Sequence, residues 1–297
     1  MNNFFRISLR EDSRGGNLAD EFALVGLASK EREKIVLLVH GFNKSAPEAI
    51  KDLRPFALAC RELAPTLDGN IGFVVWPGDS RHWHSRLFVF PWKIRTAVAA
   101  GKLFAEYLQR LVIYDRKLAV EKLTEVVIVA HSLGCRLVLE ALDELARTEG
   151  KGRRISTILM AAAVPVRFVD IGPFDKAREC FPNMIVLHSK DDRILKVSFP
   201  LGSRIGEPFY DVPEAIGLNG HPRTDAFQAQ VPMFDFGHTS YWKDDVAIPE
   251  LVSKVCGHPR GRTRPDRTIA GSNRAVPEWE IPERSVDDRS EREDLNS

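Results

Sequence analysis

Glu125-Val-Val-Ile-Val-Ala-His-Ser-Leu-Gly-Cys-Arg-Leu-Val138 is the stretch whose reading decides the fold. Glu125–Ala130 is a short apolar run rich in β-branched residues. It shows no polar alternation, the pattern of a strand covered on both faces. From Leu133 the period changes. Leu133, Leu137, Val138, Ala141, Leu142 and Leu145 form one stripe of a helix that runs to Thr148. Ser132 falls at the turn between strand and helix, with small residues two before (Ala130) and two after (Gly134).

The same alternation extends in both directions. Lys34–Val39, Ile71–Trp76, Ile155–Met160 and Met184–His188 are further strand candidates, apolar on both faces. Pro47–Ala64 and Lys93–Tyr114 carry apolar residues at helical spacing. Strand alternating with helix predicts an α/β fold, a mostly parallel central sheet with helices on both faces. Phe4–Leu9 and Phe22–Ala28 are expected as antiparallel edge strands, and Val231–Phe236 as the final strand.

Of 297 residues, 42 are Lys or Arg and 41 are Asp or Glu, a net charge of +1. That balance excludes a broadly basic nucleic-acid binder. Composition breaks near Gly257, where Arg, Asp, Glu, Pro and Ser take over and Trp279 is the one aromatic residue. Residues 257–297 are expected to be a disordered charged tail, since such a segment buries too little apolar area to offset its ordering entropy. A docking peptide around Val276, Trp279 and Ile281 is the alternative, giving the tail a protein partner. Residues 1–256 are then one catalytic domain. The tail holds eight Arg and nine Asp or Glu, so neither part is strongly charged. The four cysteines form no C-x-x-C pair and are expected to be reduced. The first residues carry no signal-peptide pattern, and no apolar run reaches a membrane span of about 20 residues. A cytoplasmic protein without stable membrane insertion is expected.

Ala130-His131-Ser132-Leu133-Gly134 resembles the nucleophile elbow, with Ala130 in place of its first Gly. A serine at such a turn projects its hydroxyl above the sheet, beside a helix N-terminus that favours developing negative charge. The bland alternative is a serine that only caps the helix. Strand Lys34–Val39 ends in His40-Gly41-Phe42-Asn43, a loop placed to supply one oxyanion donor. The main-chain N–H groups of Phe42 and Leu133 are the candidates. His40 reads as a brace for that loop rather than a base. A serine nucleophile needs a base, and the base an orienting carboxylate. Asp191 and Asp192 both follow strand Met184–His188, at the sheet end where ligand sites form. His238 follows the final strand. His221 and His258 are weaker candidates.

Five blocks in one order carry a family resemblance. They are Val39-His40-Gly41-Phe42-Asn43, Trp76-Pro77, Ala130–Leu137, Ser189–Leu195 and Gly237-His238-Thr239-Ser240-Tyr241. Over roughly residues 34–245 the chain resembles the α/β-hydrolase superfamily, and within it an uncharacterised bacterial group of serine-hydrolase-like proteins. The resemblance implies an acid at Asp192 and a base at His238, with Ser132 as nucleophile. Thr239 is extra relative to the group's G-H-S-Y. Ala161-Ala162-Ala163-Val164-Pro165 stands where the group often has Ala-Pro-Asp, which puts any substrate contact of that loop in doubt.

Trp83, Phe88, Phe90 and Trp92 lie between the strand ending at Trp76 and the long helix, and form a candidate acyl pocket or lid. Covering the core is their alternative role. His82 and His84 are too few for a metal, and no Gly-rich nucleotide loop is present, so no metal or cofactor is expected. The expected activity is a serine hydrolase acting on a small-molecule or lipid-like acyl substrate. An acyltransferase with the same residues and a non-catalytic binding module are the alternatives.

Overall fold

The computed structural model describes residues 4–11, 17–25, 34–79, 86–117, 125–149, 155–170, 172–206 and 213–257. Eight strands form one sheet: β1 (Phe5–Arg10), β2 (Leu18–Val25), β3 (Lys34–Val39), β4 (Ile71–Val75), β5 (Glu125–His131), β6 (Ile155–Met160), β7 (Met184–His188) and β8 (Ala229–Pro232). Their order is β2-β1-β4-β3-β5-β6-β7-β8. Every pairing is parallel except β1 with β2. The helices are α1 (Ala46–Leu63), α2 (Arg86–Lys117), α3 (Leu133–Glu149), α4 (Val166–Asp170), α5 (Asp175–Cys180), α6 (Phe199–Gly206), α7 (Ile216–Asn219) and α8 (Ala247–Val255).

The two-faced apolar strands divide their side chains between two cores. Ile35, Leu37 and Val39 of β3 join Phe104 of α2 and Leu137 and Leu142 of α3. Val36 and Leu38 join Phe56 and Cys60 of α1 and Ile248 and Leu251 of α8. Strand period 2 therefore produces a three-layer α/β/α arrangement. All four cysteines are free thiols. Among the described residues no helix is long and apolar enough to cross a membrane.

Four expectations need correction. β1 is interior, not an edge: it pairs in parallel with β4 and leaves the edge to β2. β2 begins at Leu18, four residues before Phe22, and residues 26–28 lie outside the described residues. Both shifts arise because hairpin pairing extends the strand through Leu18, opposite Arg10, across an irregularity that composition does not reveal. α2 begins at Arg86, seven residues before Lys93, and takes Pro91 into its early turns. The last strand ends at Pro232 rather than Phe236. Beyond it Met233 N–H still bonds the His188 carbonyl at 2.7 Å. The chain then turns with Asp235 at φ 59°, and that turn rather than apolar content ends the pairing.

Candidate active site

Every strand that leads into a candidate residue finishes at the same end of the sheet, because β3, β4, β5, β7 and β8 run parallel. Ser132 follows β5 at φ 55°, a left-handed conformation that L-residues rarely adopt. The surroundings hold it there. Its N–H bonds the Met160 carbonyl at 2.9 Å, and its carbonyl accepts from Cys135 at 3.0 Å and Ala163 at 3.2 Å. Gly134 explains the need for a small residue after the turn. A Cβ there would lie 2.5 Å from the His40 carbonyl oxygen. A Cβ on Gly41 would lie 3.0 Å from Ser132 Cβ and 2.9 Å from His131 Nδ1. The main chain after β3 therefore runs directly against Ser132.

Ser132 Oγ is 2.9 Å from His238 Nε2, and His238 Nδ1 is 2.7 Å from Asp192 Oδ2. The carboxylate accepts, so Nδ1 carries the proton and Nε2 is left to accept from the serine hydroxyl. Ser132 thus directs its hydroxyl at an imidazole rather than at the helix behind it. Asp192 is fully buried, and its Oδ1 accepts the Leu195 N–H at 3.0 Å. Asp191 points elsewhere: it is exposed, and its Oδ2 accepts the Asp235 N–H at 3.2 Å. Tyr241 packs in the core below, and burial beside Asp192 pushes its phenol well up.

His40 braces, as its position suggested. It is buried, and its Nε2 accepts the Trp76 N–H at 3.2 Å, so Nδ1 donates to the Gly41 carbonyl at 2.8 Å. Burial lowers its pKa to about 4. Its own carbonyl accepts from Trp76 Nε1 at 2.8 Å, which locks β3 to β4. Asn43, at φ 65°, donates its N–H to the Gly78 carbonyl at 2.8 Å and shapes the loop that carries Phe42. Leu133 is the first residue of α3, so its N–H has no acceptor within the helix.

The four aromatic candidates fare differently. Trp83 lies outside the described residues, as do the side chains of Phe88 and Phe90 on the first turns of α2. Trp92 is 67% exposed, with the Arg95 guanidinium 5.5 Å from its ring centre. His82, His84, His258 and the tail after Gly257 also lie outside the described residues. His221 is buried and accepts from the Arg223 N–H at 3.1 Å.

Two contributors were missed. His131 Nε2 lies 2.7 Å from the main-chain carbonyl of His238. In the motif it occupied only a variable position. Arg10 at the end of β1 is buried and forks onto both oxygens of Asp79, at 2.9 and 3.0 Å. It also donates to the Trp76 carbonyl at 3.2 Å, so the pair pins the loop that receives Asn43. An Arg in strand Phe5–Arg10 with an Asp after Trp76-Pro77-Gly78 was the only signal, and nothing in the sequence joins residues 69 apart.

The fold has relatives. The family model described as "Alpha/beta hydrolase of unknown function (DUF900)" matches residues 19–208, a stretch that holds Ser132 and Asp192 and stops before His238. No curated protein matches. Among solved structures, a poly(3-hydroxybutyrate) depolymerase from Bordetella parapertussis is similar at 12% identity and TM-score 0.46, over 86% of this chain and 90% of that one. A carboxyl esterase from the mycorrhizal fungus Tuber melanosporum is similar at 11% identity and TM-score 0.43, over 79% of this chain and 80% of that one. With its matched stretch well over half its length, the chain belongs to this alpha/beta hydrolase family of unknown function.

Proposed function

We propose that the protein is a serine hydrolase that cleaves a carboxylic ester or related acyl bond, with Ser132 as nucleophile, His238 as base and Asp192 as the carboxylate that orients it. One observation carries the reading: the continuous hydrogen-bonded series Ser132 Oγ, His238, Asp192, at 2.9 and 2.7 Å. His238 takes the hydroxyl proton as Ser132 Oγ attacks the acyl carbon. The imidazolium so formed rests against the buried Asp192 and passes its proton to the leaving group. The N–H groups of Phe42 and Leu133 receive the developing oxyanion, each worth about 2.7–4 kcal/mol at the transition state. Water then releases the acyl group from Ser132. The catalytic unit lies within residues 1–256, and residues 257–297 are a tail outside it. Trp83, Phe88, Phe90 and Trp92 contribute to acyl binding.

Labelling with a fluorophosphonate tests the assignment. Wild-type protein is expected to label on Ser132, and Ser132→Ala to lose the label while melting at the wild-type temperature. Undiminished labelling of a folded Ser132→Ala protein overturns it. Turnover of p-nitrophenyl esters of increasing chain length, with Ser132→Ala as blank, then reads the acyl preference, and added alcohol or thiol acceptors separate hydrolysis from acyl transfer.

A further inference from the structure

The chain that leaves Asp192 forms one π-helical turn, Ile194–Ser198, and continues directly into α6. Leu195, Phe199 and Ser203, four apart, are buried. Ile194, Val197 and Leu201 recur at intervals of three and four on the opposite side and are 48%, 58% and 55% exposed. Phe234 is 75% exposed. The next residue, Asp235, donates its N–H to Asp191 and ties that turn to the same segment. One exposed apolar side chain is ordinary, but four around one rim call for a cover.

The same rim is basic. Lys190, Arg193, Lys196 and Arg204 are all exposed, and none has a carboxylate partner among the described residues. Asp191 and Asp235 are the exposed acids beside them. The segment is therefore amphipathic in a particular way: an apolar stripe outward, set among cations. That pattern suits the plane of a lipid interface, where apolar side chains enter the headgroup boundary and cations meet anionic headgroups. A second copy of the chain fits it less well, because a twofold interface sets the same four cations against themselves.

We propose that this rim, with Ile194, Val197, Leu201 and Phe234 as anchors, docks the protein on a lipid surface that carries anionic headgroups. Of the anchors, Ile194 follows Asp192 by two residues and Phe234 precedes His238 by four, so they lie on the two chain segments that carry the proposed acid and base. The acyl bond would then be drawn from the lipid layer. That last clause rests on the hydrolase reading; docking itself does not.

Flotation of the full chain with vesicles tests it, using phosphatidylcholine alone and phosphatidylcholine with about 30% phosphatidylglycerol. The protein is expected to float with the anionic vesicles, not with the neutral ones, and to be released by raising the salt to roughly 0.5 M. Val197→Asp combined with Leu201→Asp, and separately Lys196→Glu combined with Arg204→Glu, are each expected to lower the bound fraction about tenfold or more at an unchanged melting temperature. Equal flotation with both vesicle types, or wild-type flotation of both folded variants, overturns the proposal. So does a dimer in sedimentation that Val197→Asp splits while flotation is absent, which makes the rim a contact between copies. Flotation needs no turnover. Lost fluorophosphonate labelling with intact flotation refutes the hydrolase reading alone, and the reverse result refutes docking alone.

Discussion

His131 donates a hydrogen bond from Nε2 to the main-chain carbonyl of His238 at 2.7 Å. A carbonyl only accepts, so the tautomer of His131 is set, and Nδ1 is the unprotonated nitrogen that faces Gly41. Burial first, and then the neighbouring His238 ring 4.9 Å away, lower its pKa to about 3. His131 therefore stays neutral while it anchors the loop of the proposed base and fills the space beside the proposed oxyanion loop.

Losing that anchor is expected to slow the chemistry more than it weakens binding. His131→Phe should lower the rate of fluorophosphonate labelling roughly ten- to hundredfold, since small misplacements of a base are costly. His131→Gln retains an N–H donor and should recover part of the loss. Wild-type rates in a folded His131→Phe protein would show that the carbonyl needs no partner.

Asp191 and Asp192 are adjacent in sequence and opposite in role. Asp192→Asn removes the acceptor that sets the His238 tautomer, and ester turnover should fall about 10⁴-fold, the scale seen when such a carboxylate becomes an amide. Asp191→Asn should stay within about threefold, because among the described residues its carboxylate supports only the Asp235 turn. Steady-state kinetics on a soluble ester distinguishes the two, and a larger loss at Asp191 would reverse the assignment.

Close approach of α3 to the end of β3 sets a steric limit at Gly134. A methyl group 2.5 Å from the His40 carbonyl forces main chain to move, so Gly134→Ala should cost about 1–3 kcal/mol. Gly237→Ala is the internal control. Its new Cβ meets nothing nearer than Ser240 Oγ at 3.8 Å, and it should change stability by less than about 0.5 kcal/mol. Urea denaturation at neutral pH measures both.

Stability should fall as pH drops from about 6.5 towards 4. His40 and His131 are buried neutral, with pKa values lowered to about 4 and about 3. Within that window the unfolded chain binds protons that the native chain refuses, so unfolding stability rises with pH. The contribution is complete above the unfolded histidine pKa of about 6.5 and is lost as pH falls through the window. For His40 alone the full swing is roughly 3 kcal/mol. Denaturation midpoints at several pH values should show the slope, and His40→Gln should flatten it while lowering stability throughout. A slope unchanged by that substitution would mean that other groups dominate.

The fold was legible because its signals are local. Short β-branched apolar runs such as Lys34–Val39 and Glu125–His131, alternating with longer helical patterns, read as a parallel sheet covered on both faces. The change of period at Ser132 marks the strand-to-helix turn within one residue. Less legible were elements decided by pairing. β1 carries the residues of an edge strand and lies inside the sheet, because β2 folds back on it. Pro91 is carried within α2, whose packing on α3 outweighs one missing main-chain donor.

By itself the sequence determined the layer order, the edge of the sheet at which chemistry-bearing loops gather, and the candidates Ser132, Asp191, Asp192 and His238. These follow from periodicity and chain order, which are properties of neighbours along the chain. Tertiary structure decided which carboxylate meets His238, that His40 faces Trp76 rather than Ser132, and that His131 and Arg10 support loops far from them in sequence. It also decided that Ile194, Val197 and Leu201 face outward while Leu195 and Phe199 face the core. The reason is the same in each case. Hydrogen-bond partners 36 to 107 residues apart are chosen by how strands and loops pack, and burial is known only once every neighbour is in place.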